Sequence, residues 1–252
     1  TTGPLGSGLA SAVGMAMAQR RQRGLFDPEA KAGESPFDHH IWVMASDGDI
    51  MEGVTHEASA LAGHQELGNL TVIYDQNTIS IEDKTEISFS EDVAARYEAY
   101  GWNTVTIDWR GDGTSGGYVE NVDQLLAACE RSRSSRKPTL IVLRTIIGWP
   151  APNNRNTGAA HGAALGADEV AATKELLGFD PERFFVVEDE VLAHARHVRE
   201  RGAREHAAWQ ERFDRWAAEH PDRAELLERL RRRDLPPGWE EALPSFPPDD
   251  DK

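Results

Sequence analysis

Asp47 and Asn77 are the residues whose types and spacing invite chemistry: each follows an apolar run, at 41–45 and 70–74, and each offers a side-chain oxygen. A hard divalent cation such as Mg²⁺ takes oxygen ligands in near-octahedral geometry and shares them with bound phosphates. An acid and an amide at the ends of two strands therefore suit a metal-bound diphosphate. Gly48 lets backbone come close to a phosphate, and a helix after it would point its first amides at the same anion. Asp, Gly and Asn are also ordinary turn residues, so this stretch alone fits a ligand-free βαβ unit as well. His161 is the third candidate. The stretch 145–166 is long and irregular, carries Trp149, and leaves an apolar strand at the end where α/β sheets bind ligands, so it reads as an ordered active-site loop with His161 in the site.

Those residues need a scaffold, and the chain spells one out. A glycine-punctuated turn at 3–8 runs into a small-residue helix at 9–26, whose Ala, Gly and Ser let another backbone approach. Strand 41–45, helix 52–67 and strand 70–74 make a parallel crossover unit. Helix 88–100, with Ser90 as its N-cap, strand 102–109, helix 121–133 and strand 139–144 continue the alternation. The expected fold is α/β, a doubly wound parallel sheet with helices on both faces, followed by a helical linker segment. From 167 the composition changes to a helix at 168–177 and a charged stretch with Trp209, Phe213 and Trp216 at helical spacing, which fits a helix packed on its own protein. A proline-punctuated linker at 235–252 follows, with Trp239, Leu243 and Phe246 as anchors, and the domain reading is 1–166 and 167–252.

A net charge of −16 argues against nucleic acid or an anionic membrane as partner. No apolar run is long enough to cross a bilayer. The single cysteine, Cys129, forms no internal disulfide and sits in a helical setting where it reads as buried and inert, so a reducing cytoplasm is the expectation. The opening Thr1-Thr2-Gly3-Pro4-Leu5-Gly6 looks like the inside of a domain, with no signal peptide before it.

Taken together, TTGPLG at 1–6, SDGDIMEGVTHEAS at 46–59, YDQNTISI at 74–81, SFSEDVAARYEAYGW at 88–102, RTIIGWPAPNNRNTGAAHGAALG at 144–166 and GWEEALPSF at 238–246 resemble the transketolase family, specifically its diphosphate-binding domain and the start of the linker beyond it. The resemblance runs in order along the whole chain. It implies thiamine diphosphate and Mg²⁺ (or Ca²⁺ in its place) as cofactors, with sugar phosphates as substrates. It also implies a two-carbon ketol transfer and a homodimer joined through the thiamine-binding domains. It makes Asp47 and Asn77 metal ligands together with the Ile79 carbonyl, Gly48 a diphosphate contact, and Gly3 and Leu5 part of the turn near the aminopyrimidine. His161 would contact the diphosphate beside the reacting carbon, and Glu52 and Glu57 would be dimer-interface carboxylates. Ser46 stands where the family's motif has its first glycine, and Ser7 where glutamine is common; the glycine that meets phosphate, Gly48, is kept. The family's upstream histidines and the glutamate that activates the aminopyrimidine have no counterpart here, so this chain alone is expected not to turn over. Dihydroxyacetone synthase, deoxyxylulose phosphate synthase and a non-catalytic truncated or split subunit are the alternatives.

Overall fold

In a computed structural model, residues 2–81, 83–111 and 117–246 are described. Thr1 of the first motif and the end of the linker, 247–252, lie outside them. The chain divides into two compact units, one of Thr1–Arg21 with His39–Ala193, the other of Gln22–Asp38 with His194–Lys252.

The first unit holds the sheet. Helix α1 (Ser7–Phe26) precedes strand β1 (Ile41–Ser46), the short helix α2 (Asp47–Met51), helix α3 (Gly53–His64) and strand β2 (Leu70–Gln76). Then follow helix α4 (Val93–Ala99), strand β3 (Asn103–Asp108), helix α5 (Val122–Arg133) and strand β4 (Thr139–Arg144). The strands lie in the order β1-β2-β4-β3 and every pairing is parallel. Side chains alternate across a strand, and β4 sorts them cleanly. Leu140 and Val142 join a core with Leu9, Val13 and Ala16 of α1 and Val93 and Tyr97 of α4, while Ile141 and Leu143 join another with Ala128 of α5. Helices thus cover both faces, as the alternation predicted.

One local expectation is corrected, and one element is added. The helix expected at 52–67 is α3, Gly53–His64; before it the unexpected one-turn helix α2 ends at Glu52, whose extended backbone (φ −69°, ψ 136°) also starts α3. The Thr55 hydroxyl donates to the Asp49 carbonyl at 2.7 Å, replacing the amide a continuous helix would offer there. The N-cap of α4 is Asp92, not Ser90: its Oδ1 accepts from the Ala95 amide at 3.1 Å, and the helix begins one residue later.

After β4 the chain forms helices α6 (Ala159–Gly162) and α7 (Ala167–Leu176), then α8 (Asp189–Glu219) and α9 (Pro221–Arg232). The second unit has its own small core of Phe26, Phe37, Trp216 and Leu227. Trp216 Nε1 donates to the Phe26 carbonyl at 3.0 Å and its ring meets Phe37 edge-on at 4.7 Å. The aromatic stripe of α8 is therefore packed on its own protein. Trp239, Leu243 and Phe246, read as anchors, are exposed.

Candidate functional site

The parallel register sets the site. Ser46 pairs with Asp75 at the carboxyl ends of β1 and β2, so Asp47 and Asn77, just beyond, come together. The contacts show how closely: Asp47 Oδ2 accepts from the amides of Asn77 at 3.1 Å and Thr78 at 2.9 Å, and Oδ1 accepts from the Tyr74 hydroxyl at 2.6 Å. Asp47 is 3% exposed. Burial pushes its carboxyl above the ordinary range, and the bonds from Tyr74, Thr78 and Asn77 pull against that shift without cancelling it. Tyr74 is raised as well, by burial and then by the neighbouring Asp47 charge.

The Asn77 loop is tightly wound. Asn77 Oδ1 accepts from the Ile79 amide at 3.0 Å, and Thr78 sits at φ 62°, a left-handed conformation uncommon for a β-branched residue. Ile79 is buried and pairs with Lys84 in an antiparallel bridge, which closes the loop.

Asp49 ties the other side down. Its Oδ1 accepts from the Gly6 amide at 2.9 Å, and its Oδ2 accepts from both the amide and the hydroxyl of Ser46 at 2.9 Å. Burial works to raise the Asp49 carboxyl, but the Gly6 and Ser46 donors outweigh it and hold it below the usual range. Gly6 must be glycine: its φ is +74°, and a Cβ there would lie 2.8 Å from both Glu52 Cβ and Thr55 Oγ1. Through this bond the turn of the first motif is fastened to the turn of Asp47. A Cβ on Gly48 would sit 3.1 Å from Leu5 Cδ1, so Leu5 and Gly48 are neighbours. Gly3, by contrast, is exposed and a Cβ on it would meet nothing within 4 Å.

A cavity of about 380 Å³ opens over this cluster, lined by Asp47, Tyr74, Thr78, Lys84, Glu91 and Asn156 among others. His161 lies on α6, exposed, and is not among its lining residues. The loop that carries it is nevertheless ordered. Thr145 Oγ1 donates to Asp75, the Trp149 ring stacks on Tyr118 at 4.6 Å, and Glu169 of α7 accepts from the amides of Asn153 and Asn154 at 2.8 Å. Glu52 and Glu57 are exposed on the α2–α3 side.

Among the described residues, no three His, Cys, Asp or Glu side chains converge as a metal site, which leaves no thiolate or imidazole cage. The oxygen set here fits a hard cation that keeps part of its shell for phosphate. Oδ2 of Asp47 is filled by two amides, Oδ1 has one donor and so a free lone pair, and Asn77 Oδ1 likewise has one donor. A buried carboxylate that burial works to protonate is relieved by a divalent cation. Tyr74, the Thr78 amide and Asp49 carry much of this geometry and were not legible as site residues. Tyr74 reads as the apolar end of a strand, and only the register with β1 aims its hydroxyl at Asp47.

Residues 1–236 match the family model described as "Transketolase, thiamine diphosphate binding domain". The chain belongs to the transketolase family. Transketolases of Mycobacterium leprae and Mycobacterium tuberculosis are 56% and 54% identical to it over 248 residues, which is 98% of this chain and 34% of each relative. The transketolase of Geobacillus stearothermophilus is 42% identical over a similar span. Among solved structures, transketolase from Leishmania mexicana superposes with a TM-score of 0.85 at 35% identity, covering 98% of this chain and 35% of that one. Transketolase of Pichia stipitis in complex with sedoheptulose-7-phosphate gives 0.84 at 37% identity, with the same coverage. The chain thus spans about a third of the length of the curated transketolases it matches.

Proposed function

We propose that this chain supplies the diphosphate and metal half of a transketolase site, in which a two-carbon ketol unit passes from a ketose phosphate to an aldose phosphate. The observation that carries the reading is the buried Asp47, held by donors from the Asn77 loop inside a chain of the transketolase family. Relatives named transketolase favour ketol transfer over the related synthases. When bound, thiamine diphosphate supplies the nucleophilic carbon that breaks and remakes the carbon–carbon bond.

The residues of this chain have positioning and electrostatic work. Asp47, Asn77 Oδ1 and the Ile79 carbonyl would hold Mg²⁺, which would neutralise the diphosphate charge. Gly48, without a side chain, leaves its amide open to the diphosphate, and Leu5 and Gly3 belong to the turn toward the aminopyrimidine. His161 would donate to the diphosphate side of the site, with its loop clamped by Glu169. Glu52 and Glu57, exposed on this chain, suit the interface of a homodimer. The cytoplasm, where sugar phosphates are abundant, is the compartment this reading implies. With a third of the relatives' length, the chain by itself is expected to bind without turning over.

Isothermal calorimetry of the chain with thiamine diphosphate tests the reading. Binding is expected with Mg²⁺ and lost with EDTA; equal affinity in both would remove the metal from the site.

A further inference from the structure

We propose that Arg96 is a positioning residue for the Asp47 site, acting through the last turn of α2. The inference rests on the reading that Asp47 takes a metal, and gives a role to a residue that the sequence reading left without one.

Helix α2 has five residues, a single turn that cannot sustain itself, since the first turn of a helix costs more order than its hydrogen bonds return. Its start is fastened by Asp49 to Ser46 and Gly6. Its end is fastened by Arg96, whose Nη2 donates to the Ile50 carbonyl at 3.2 Å. The guanidinium comes from α4, and its side chain is 13% exposed. Nη1 is shared between Glu91 Oε2 at 2.5 Å and His56 Nε2 at 2.6 Å. A guanidinium never accepts, so the imidazole must present a lone pair to it. Phe89 and Tyr97 flank the charge, with ring centroids 5.8 and 5.7 Å away. Three elements therefore converge on one planar group: α2 through Ile50, α3 through His56, and the segment before α4 through Glu91 and Phe89. That segment is itself a wall of the cavity over Asp47.

Stability does not explain the arrangement. Arg96 Nε is buried without a partner, and Glu91, its ion-pair partner, is 46% exposed, where such a pair contributes little to stability. What the guanidinium uniquely provides is its fork, which fixes the carbonyl end of α2 and the Glu91 wall in one plane. Asp47 begins the same turn that Ile50 ends, so loosening one end rotates the other.

The test uses this chain with Arg96→Met, Arg96→Lys and Val105→Ala, the last a packing loss on the opposite face of the sheet. Hydrogen exchange at the Asn77 and Thr78 amides reports the position of Asp47 directly, without any ligand. Protection there is expected to fall about tenfold or more in Arg96→Met, to recover partly in Arg96→Lys, and to hold in Val105→Ala, with melting temperatures of all three within about 4 °C of wild type. Calorimetry with thiamine diphosphate and Mg²⁺ is expected to follow the same order, again by about tenfold. Unchanged protection in Arg96→Met, or an equal loss in Val105→Ala, would overturn the proposal. Should Arg96→Met not fold, the same amides in Arg96→Lys decide it. If wild type shows the protection but no Mg²⁺-dependent binding, the metal reading fails while the exchange data still judge Arg96.

Discussion

Replacing Asp47 in two ways separates what the residue does for the fold from what it does for the cofactor. Asn keeps the shape and the bonding: its amide oxygen can accept from the Asn77 and Thr78 amides, and its NH₂ can donate to the Tyr74 oxygen. It also removes a charge that burial opposes. Asp47→Asn is therefore expected to be at least as stable as wild type without ligand. Asp47→Ala strands one buried donor, the Tyr74 hydroxyl, and two part-buried amides, each costing about 1 kcal/mol at the low end, so about 3 kcal/mol in all. In a domain of this size 1 kcal/mol moves the melting temperature by roughly 2–4 °C, which puts Ala about 6–12 °C below Asn. Ligand reverses the order. Saturating Mg²⁺ and thiamine diphosphate, at about a hundred times their dissociation constants, add about 2.7 kcal/mol to wild type and nothing to either variant. Differential scanning fluorimetry with and without the pair reads both effects. An Asn variant as unstable as Ala would refute the claim that the charge is held against burial, and an Asn variant that still gains stability from Mg²⁺ would refute the ligand role.

Three further outcomes follow from the same contacts. Gly6→Ala meets both a left-handed backbone and a 2.8 Å clash with Glu52 and Thr55, and is expected to cost about 2–3 kcal/mol, whereas Gly3→Ala, facing open space, should stay within about 0.5 kcal/mol of wild type in urea titration. Asp49→Ala should free the first-motif turn, seen as faster exchange of the Gly6 and Ser46 amides; unchanged exchange would show that Asp49 does not hold it. His40, whose Nε2 lies 2.8 Å from Thr71 Oγ1, is pushed down to about 4 by burial and then by Arg133. Its folded state binds a proton less readily than its unfolded state, so stability is level above about pH 6.5 and lost as pH falls toward 4. With the ring half exposed the loss is about 1–2 kcal/mol, and His40→Gln should abolish it; an identical acid loss in the variant would assign the effect elsewhere.

Much of the sheet was legible because β2 and β4 are apolar on both sides, as strands covered by helices must be. The strand over Thr139–Arg144 falls where its residues predict. The start of α3 near Glu52 was legible, but the one-turn helix α2 before it was not, because it is held by Asp49 accepting from the Gly6 amide, a contact between residues 43 apart. The N-cap of α4 was ambiguous for a different reason. Ser90 and Asp92 are both good caps, and only the backbone at Asp92 chooses. For the site, Asp47 and Asn77 could be named from type and position, but their partners could not, because Tyr74, Thr78 and Asp49 act through register and turn geometry.

That register is the deeper constraint on the site. Asp47 receives no donor from its own strand; Tyr74, Asn77 and Thr78 all belong to β2 or the loop that ends it. The separation of thirty residues between Asp47 and Asn77 is set by the crossover, and a longer or shorter α3 would serve equally if Ser46 still paired with Asp75. A slip by one residue would not. It would turn Tyr74 to the opposite face, move its hydroxyl out of the cavity and leave Asp47 buried with its charge unanswered. The apolar residues of β1 and β2 therefore protect the chemistry as well as the core, because the packing of Leu70, Val72 and Tyr74 on one face selects the register that brings the acid to its donors.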